Sequence, residues 1–301
     1  MEKKLEEILV SVPVITYNSS KYVLETLESI KAQTYQNIEL IVSDDCSTDN
    51  TVEICRKWIE ENKERFVCTE IITSDINTGV SANGNRGRNA CRGEWIKGIA
   101  GDDLLMPNCV EEYINYVKEN NEAIAIFSKV IFFGENINVD SYENFFDYSF
   151  FDLNNQEEKK WLYTKALIPI PAPTLFYNRN KFEKYDIYND ERIPLLEDQP
   201  KWAKLIEKDI KFHFINKQLI KYRVSESSLS TCRVFSKASV RSYALYWLLY
   251  KFPTNIKYIG RRKAYQDYIC YKAVVSNCLI WKIGRFIIHL LYYPYEKFIK
   301  K

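Results

Sequence analysis

Histidine is nearly missing from this chain: among 301 residues only His213 and His289 occur. A Ser-His-Asp or Cys-His nucleophilic apparatus needs an imidazole within hydrogen-bond reach of the nucleophile, so that chemistry is set aside. Glycine is sparse too, with nine residues. No GxGxxG follows the first apolar run and no GxxxxGK[ST] occurs anywhere, which sets aside a dinucleotide fingerprint and a P-loop. The eight cysteines (46, 55, 68, 91, 109, 232, 270 and 278) include no CxxC pair and no histidine at zinc-ligand spacing. They argue against a disulfide framework or a structural zinc, and read as small buried thiols in a reducing cytosol. No run reaches the roughly 18 uninterrupted apolar residues that a bilayer span requires. The first apolar run, Ile8 to Ile15, holds Pro13 and follows MEKKLEE, so it is expected to be a strand and not a secretory leader.

What is present is unevenly distributed. The formal net charge is only +2, yet residues 236–301 hold 13 of the 42 Lys and Arg against Asp267 and Glu296 alone. The preceding 235 residues therefore hold 29 basic and 38 acidic side chains. An acidic body with a basic tail points to an anionic partner for the tail. Within it, Lys282, Arg285, His289 and Glu296 recur at helical spacing, with Ile280, Ile283, Ile287 and Leu291 on another face and Trp281, Tyr292, Tyr293 and Tyr295 as interfacial aromatics. Two readings fit: a monotopic amphipathic helix on an anionic membrane surface, or a helix packed on the body with a solvated basic face. No nucleic-acid-binding motif accompanies the charge, so no nucleic-acid partner is expected.

Along the chain, short β-rich runs alternate with helical patterns. Strands are expected at 8–15, 38–42, 67–73, 95–99, 124–133, 175–177 and 211–222. Between them, Val23, Leu27 and Ile30, then Val52, Cys55, Trp58 and Ile59, then Val110, Ile114 and Val117 each mark one face of a helix. Residues 77–87, rich in Gly, Asn and Ser, read as a loop, with 88–92 as the end of a short helix. Residues 134–160 lack a clear period and read as a variable surface insertion. This alternation predicts an α/β protein with a mainly parallel sheet, in which ligands bind beyond the carboxyl ends of the strands. Three of those ends are polar: Thr16-Tyr17-Asn18, Asp44-Asp45, and Asp102-Asp103 at the end of GEWIKGIAGDDLL (93–105). Adjacent carboxylates at a strand end are suited to hold a hard divalent cation against a phosphate. A carboxylate pair in a first helical turn, Glu197-Asp198, is either a dipole partner or, if it faces the same cleft, a general base.

Taken together, VPVITYN (12–18), IELIVSDDCSTDNT (38–51), NTGVSANGNRG (77–87), GEWIKGIAGDDLL (93–105), LEDQPKW (196–202) and YRVSESSLS (222–230) resemble the family-2 glycosyltransferases, bacterial surface-polysaccharide transferases among them. The likeness spans about residues 7–230. It implies a GT-A nucleotide-diphospho-sugar transferase fold, with a catalytic domain over 1–230 and a basic, aromatic, helical extension over 231–301. Within the catalytic domain, about 1–105 would form the nucleotide-binding half and 106–230 the acceptor half. By the resemblance, Pro13, Thr16, Tyr17 and Asn18 line the nucleotide pocket, Asp44 beside Asp45 accepts a hydrogen bond from the base, and Asn77, Gly79 and Arg86 border the base and diphosphate. Asp102, following Gly101, contacts the ribose, and Asp103, with Asp102, the divalent metal, Mn²⁺ or Mg²⁺. Asp198 is the implied catalytic base, with Glu197 its neighbour. Arg223 either holds diphosphate oxygens or is a structural strand-end arginine.

The implied activity is inverting transfer of a sugar from a nucleotide-diphosphate donor, UDP-linked, to a hydroxyl of a growing lipid-linked glycan. The implied place is the cytoplasmic face of a membrane. The sequence departs from the family's common pattern twice: Ala100 stands where many relatives carry the first Asp of the acidic cluster, and Ser225 stands after Tyr222-Arg223 where many place a His. Those losses motivate a rival reading, a catalytically impaired sugar-nucleotide-binding or scaffold protein. The retained Glu197-Asp198 argues against it. A nucleotidyltransferase would want a Gly-rich, basic loop after the first strand, and TYNSSKY does not supply one.

Overall fold

The computed structural model describes residues 8–135, 146–158, 168, 170–224 and, further on, 242, 245, 246, 249 and 250. Strands β1 (Val10–Thr16), β2 (Ile38–Asp44) and β3 (Cys68–Thr73) run parallel, joined through α1 (Val23–Lys31) and α2 (Thr51–Asn62). All seven residues of β2 are buried because helices cover both faces of the sheet. Leu40 and Val42 join side chains of α1, α2 and α4 (Cys109–Glu119) in one core, while Ile41 faces the other way with Cys91 and Ile96. Helix α3 (Val80–Ala90) lies over that second face and leads into β4 (Trp95–Ile96).

The expected strand 95–99 is two strands. β4 and β5 (Ile99–Ala100) both pair with β1 in parallel, and Lys97-Gly98 breaks the run between them. Beyond β6 (Leu104–Leu105) come α4, β7 (Ala125–Phe133), β8 (Phe176–Asn178), α5 (Arg179–Lys184), α6 (Asp198–Glu207) and β9 (Phe212–Arg223). The sheet order is β3-β2-β1-β4-β8-β7-β9-β6, with β5 on β1. Pairings within β1 to β5 and between β7 and β9 are parallel, and those of β8 and β6 antiparallel. This mixed, mainly parallel sheet flanked by helices is the architecture expected. No helix among the described residues is long and apolar enough to cross a membrane.

Two segments differ from expectation. Residues 80–90 form a full helix, where a loop was predicted up to 87 and the end of a short helix from 88, because its buried face is Ser81, Asn83 and Gly87 and carries no apolar stripe. Hydrogen bonds dock it instead: Asn83 Nδ2 donates to the Thr16 carbonyl and Ser43 Oγ donates to Asn83 Oδ1 at 2.6 Å. The predicted surface insertion contributes to the core. Its 3₁₀ turn over Tyr148–Asp152 buries Phe150 completely, in a cluster with Phe127, Trp202 and Phe212. Phe150 stands edge-on to Phe212 at 5.3 Å and Phe212 stacks on Phe127 at 5.3 Å. Phe150→Ala should therefore cost about 3–5 kcal/mol in urea denaturation; a loss below about 0.5 kcal/mol, the range of surface changes, would restore the surface reading.

Candidate active site

Level strand ends build one side of the candidate site. Thr16 pairs with Asp44 across β1 and β2, and Ile15 with Ala100 across β1 and β5, so the polar residues after each strand emerge at one edge. Gly101 fits there because a Cβ would stand 2.8 Å from Thr16 Cγ2. Asp44 is buried, and its carboxylate accepts from Thr16 Oγ1, Ser47 N and Ser47 Oγ. Tyr17 is half exposed and Asn18 is exposed, with Asn18 Oδ1 accepting from Thr48 N. Pro13 lies deeper, inside β1 and opposite Ile41, so it is not at the open edge with the others.

Asp45 turns the other way and is saturated. Its two oxygens accept from Thr78 N, Thr78 Oγ1, Gly79 N and Arg86 Nη2, at 2.6 to 2.9 Å. Burial works to raise this carboxyl, but the hydrogen bonds from Thr78, Arg86 and Gly79 outweigh it and the net shift is downward. Asp45 thus fastens the 77–79 turn and Arg86 to the end of β2. Gly79 holds φ +88, and a Cβ there would press within 2.8 Å of Pro194 Cβ. Asn77 is exposed, its Oδ1 accepting from Gly79 N.

The acid pair is built against β9. Asp103 is buried, and its Oδ1 accepts from the Arg223 backbone N at 2.8 Å. Arg223 Nε donates to the Asp102 carbonyl and Nη2 to Glu25 Oε2, while the guanidinium lies 4.1 Å from the Tyr22 ring centroid and 4.3 Å from that of Phe133. The guanidinium is thereby engaged on both faces and along its edge, as a clamp on the acidic turn. Burial, with the Asp102 charge beside it, holds the Asp103 carboxyl well above the usual carboxylate range. Burial raises Asp102 as well, against the pull of the Arg223 guanidinium. Below them Lys97 is fully buried, donating to the carbonyls of Gly98 and Pro173, and burial lowers it to about 8. A buried carboxyl with a half-buried one beside it is a donor set that a divalent cation suits, with the remaining ligands coming from phosphate and water. Among the described residues no third His, Cys, Asp or Glu joins them.

On the other side, Asp198 is the first residue of α6, its Oδ1 accepting from Gln199 N and its Oδ2 from Gln199 Nε2. Burial, and then the charge of Glu197, raises its carboxyl to about 6, against Lys201 and the Gln199 hydrogen bonds. Lys201 is in turn lowered by burial. The Gln199 amide also exchanges two hydrogen bonds with the Ile168 backbone, pinning the proline loop to the helix start. A strap over residues 189–196 joins the two sides. Ser81 Oγ donates to the Ile193 carbonyl, Asn85 Nδ2 to that of Asn189, and Pro194 sits against Gly79. Asn83, Lys97, Gln199 and Lys201 were missed by sequence reading, since a lone polar residue carries no periodic signal. Lys97, interrupting an apolar run, was the one visible clue.

Because Arg223 is stacked and multiply bonded, Arg223→Lys should not behave conservatively. We expect a loss of about 1–3 kcal/mol in chemical denaturation. A change within about 0.5 kcal/mol would mean the clamp is dispensable.

The chain is 27% identical over 286 residues to an uncharacterized glycosyltransferase of Methanocaldococcus jannaschii, covering 94% of each. It is 28% identical to glycosyltransferase GlyG of Streptococcus pneumoniae, covering 73% of this chain and 72% of that one. Among solved structures it is similar to S. aureus TarS 1-349 in complex with UDP-GlcNAc, with a TM-score of 0.62, 18% identity, and coverage of 89% of this chain and 80% of that one. It is also similar to the mannosyltransferase PcManGT of Pyrobaculum calidifontis in complex with GDP-Man and Mn²⁺, with a TM-score of 0.55, 14% identity, and coverage of 98% and 84%. The sequence profile described as glycosyl transferase family 2 matches residues 11–185, and the chain belongs to that family of glycosyltransferases.

Proposed function

We propose that the protein is an inverting transferase that moves a sugar from a UDP-linked donor to a hydroxyl of a growing, lipid-linked surface glycan. The observation that carries this reading is the Asp198 carboxyl, set at the start of α6 beside Glu197 and raised to about 6. A base must be ionised at working pH and still basic enough to take a proton, and a value near neutrality meets both demands. Asp198 accepts the proton of the acceptor hydroxyl as its oxygen attacks the anomeric carbon from the face opposite the diphosphate. The attack forms the new glycosidic bond, breaks the bond to the nucleoside diphosphate and inverts the sugar. Glu197 raises Asp198 and stays beside it.

On the donor side, Tyr17 and Asn18 supply the exposed edge over the base, Asp44 its remaining acceptor capacity, and the turn Asn77–Gly79 the neighbouring wall. Asp45 and Arg86 hold that wall in place. Asp102 is read as the ribose contact. Asp103, with Asp102, would hold Mn²⁺ or Mg²⁺, which supplies charge neutralisation on the departing diphosphate. The UDP-GlcNAc bound to TarS supports a UDP-sugar donor, and the Mn²⁺ in PcManGT supports the cation. We read residues 1–230 as the catalytic domain and 231–301 as the extension. The surplus of Lys and Arg in residues 236–301 supports contact with an anionic membrane at its cytoplasmic face. The amphipathic pattern at 280–296 lies outside the described residues.

Two outcomes test the reading. Asp198→Asn should lower kcat by about 10²–10⁴ while donor affinity by calorimetry stays put. Wild-type kcat/KM should fall tenfold per pH unit below about 6. Retained turnover in the variant, or a flat profile to pH 4.5, would overturn the base. For the metal, the raised Asp102 and Asp103 favour the protonated folded state, so their contribution to stability is lost as pH rises from the ordinary carboxylate range through their folded values. Cation binding needs the ionised forms. Mn²⁺ with UDP should therefore raise Tm more at pH 8 than at pH 5.5, and Asp103→Ala should remove the increment; an equal response in both proteins would exclude Asp103 as a ligand.

A further inference from the structure

Five side-chain atoms among the described residues are buried without a hydrogen-bond partner: Arg86 Nε, Arg88 Nε and Nη1, Trp202 Nε1 and Tyr246 Oη. The first three belong to guanidinium groups that make other bonds or stack on a ring. The Trp202 indole is enclosed by Phe127 and Phe212. Tyr246 is different, because it comes from far along the chain, is 2% exposed, and packs with Ile193 and Leu196 directly before Glu197-Asp198. A phenol that is buried and makes no hydrogen bond carries an unrecovered desolvation cost, and Phe would fill the same space without it.

The residues around Tyr246 are anchored. Ser242 Oγ accepts from Leu195 N at 3.3 Å, and Tyr250 Oη donates to Asp190 Oδ2 at 2.8 Å. Ser242, Leu245, Tyr246, Leu249 and Tyr250 recur at spacings of three and four, and the Tyr246 and Tyr250 rings stack at 5.8 Å. This face grips the strap at Asp190, Ile193, Leu195 and Leu196. The strap is therefore held between α3 and the C-terminal segment, and its last residues run straight into the carboxylate pair.

We propose that Tyr246 is a positioning residue for Asp198, its hydroxyl donating a hydrogen bond to the Asp198 carboxylate when that group ionises and turns from Gln199. The face formed by residues 242, 245, 246, 249 and 250 is on this account part of the active site. Among the described residues the charged neighbours of the pair are Glu197 just before α6, Lys201 on α6, Arg88 from α3 acting through Lys201, and Glu207 and Tyr250 near Tyr246. Burial and then the Asp198 charge hold the Tyr246 phenol far above its ordinary range, so it remains a donor at every working pH. A donor to the ionised form lowers a carboxyl, so losing it should raise Asp198.

The proposal rests on Asp198 as the base, and its test separates the two. In full-length protein, ¹³C-carboxyl NMR follows Asp198, assigned by the signal lost in Asp198→Asn. In Tyr246→Phe we expect the Asp198 midpoint to rise by about half a unit or more, the acidic limb of kcat/KM to move up with it, and kcat at pH 6.5 to fall about tenfold. Donor KM should be unchanged and Tm equal or higher, and Tyr246→Gln, which keeps a donor, should recover part of the midpoint. An unmoved Asp198 midpoint, or a clear fall in Tm of Tyr246→Phe, would overturn the proposal by giving the hydroxyl a structural partner. Turnover retained by Asp198→Asn would instead overturn the base, whatever the NMR midpoint does.

Discussion

The site depends on how the chain tolerates two neighbouring carboxyls at the dry end of a sheet. Asp102 and Asp103 follow β5 directly, and water is largely kept from Asp103. An unpaired charge there would be costly. The chain meets the cost from several directions: the Arg223 amide on Asp103, the Arg223 side chain on the Asp102 carbonyl, and the Lys97 ammonium below. Each comes from a different part of the sequence. β9 must therefore lie beside β6, Lys97 must break the run between β4 and β5, and Tyr22 and Phe133 must be close enough to enclose a guanidinium.

A similar economy operates at the end of β2, where consecutive aspartates do different jobs. Asp44 faces Thr16 and Ser47, and Asp45 faces Thr78, Gly79 and Arg86. Side-chain alternation at a strand end accounts for the division. One carboxylate ties the loop that follows β2 to the end of β1, and the other shapes the loop before α3.

How far the sequence foretold this is best judged element by element. The buried strands and amphipathic helices were legible because apolar period and length agree, and the polar strand ends were legible because their types are unusual together. Helix α3 was not, since it docks through Ser81, Asn83 and Gly87, and hydropathy does not register hydrogen bonds. Phe150 was missed because an aromatic in an aperiodic stretch gives no sign of where the chain folds back. The Arg223 clamp was open between two readings, and the decisive facts, the rings of Tyr22 and Phe133, lie 201 and 90 residues upstream. Tyr246 sits in a stretch whose charge drew attention away from its role against the body.

The contact between Gly79 and Pro194 has a consequence for how this protein can change over generations. A side chain at position 79 would have to displace Pro194, which precedes Leu196 and the carboxylate pair by only a few residues. Substitutions in the 77–79 turn and in the 189–196 strap are therefore not independent. A variant lineage that reshapes one of these segments must compensate at the other, so changes at positions 79 and 194 are expected to arise together.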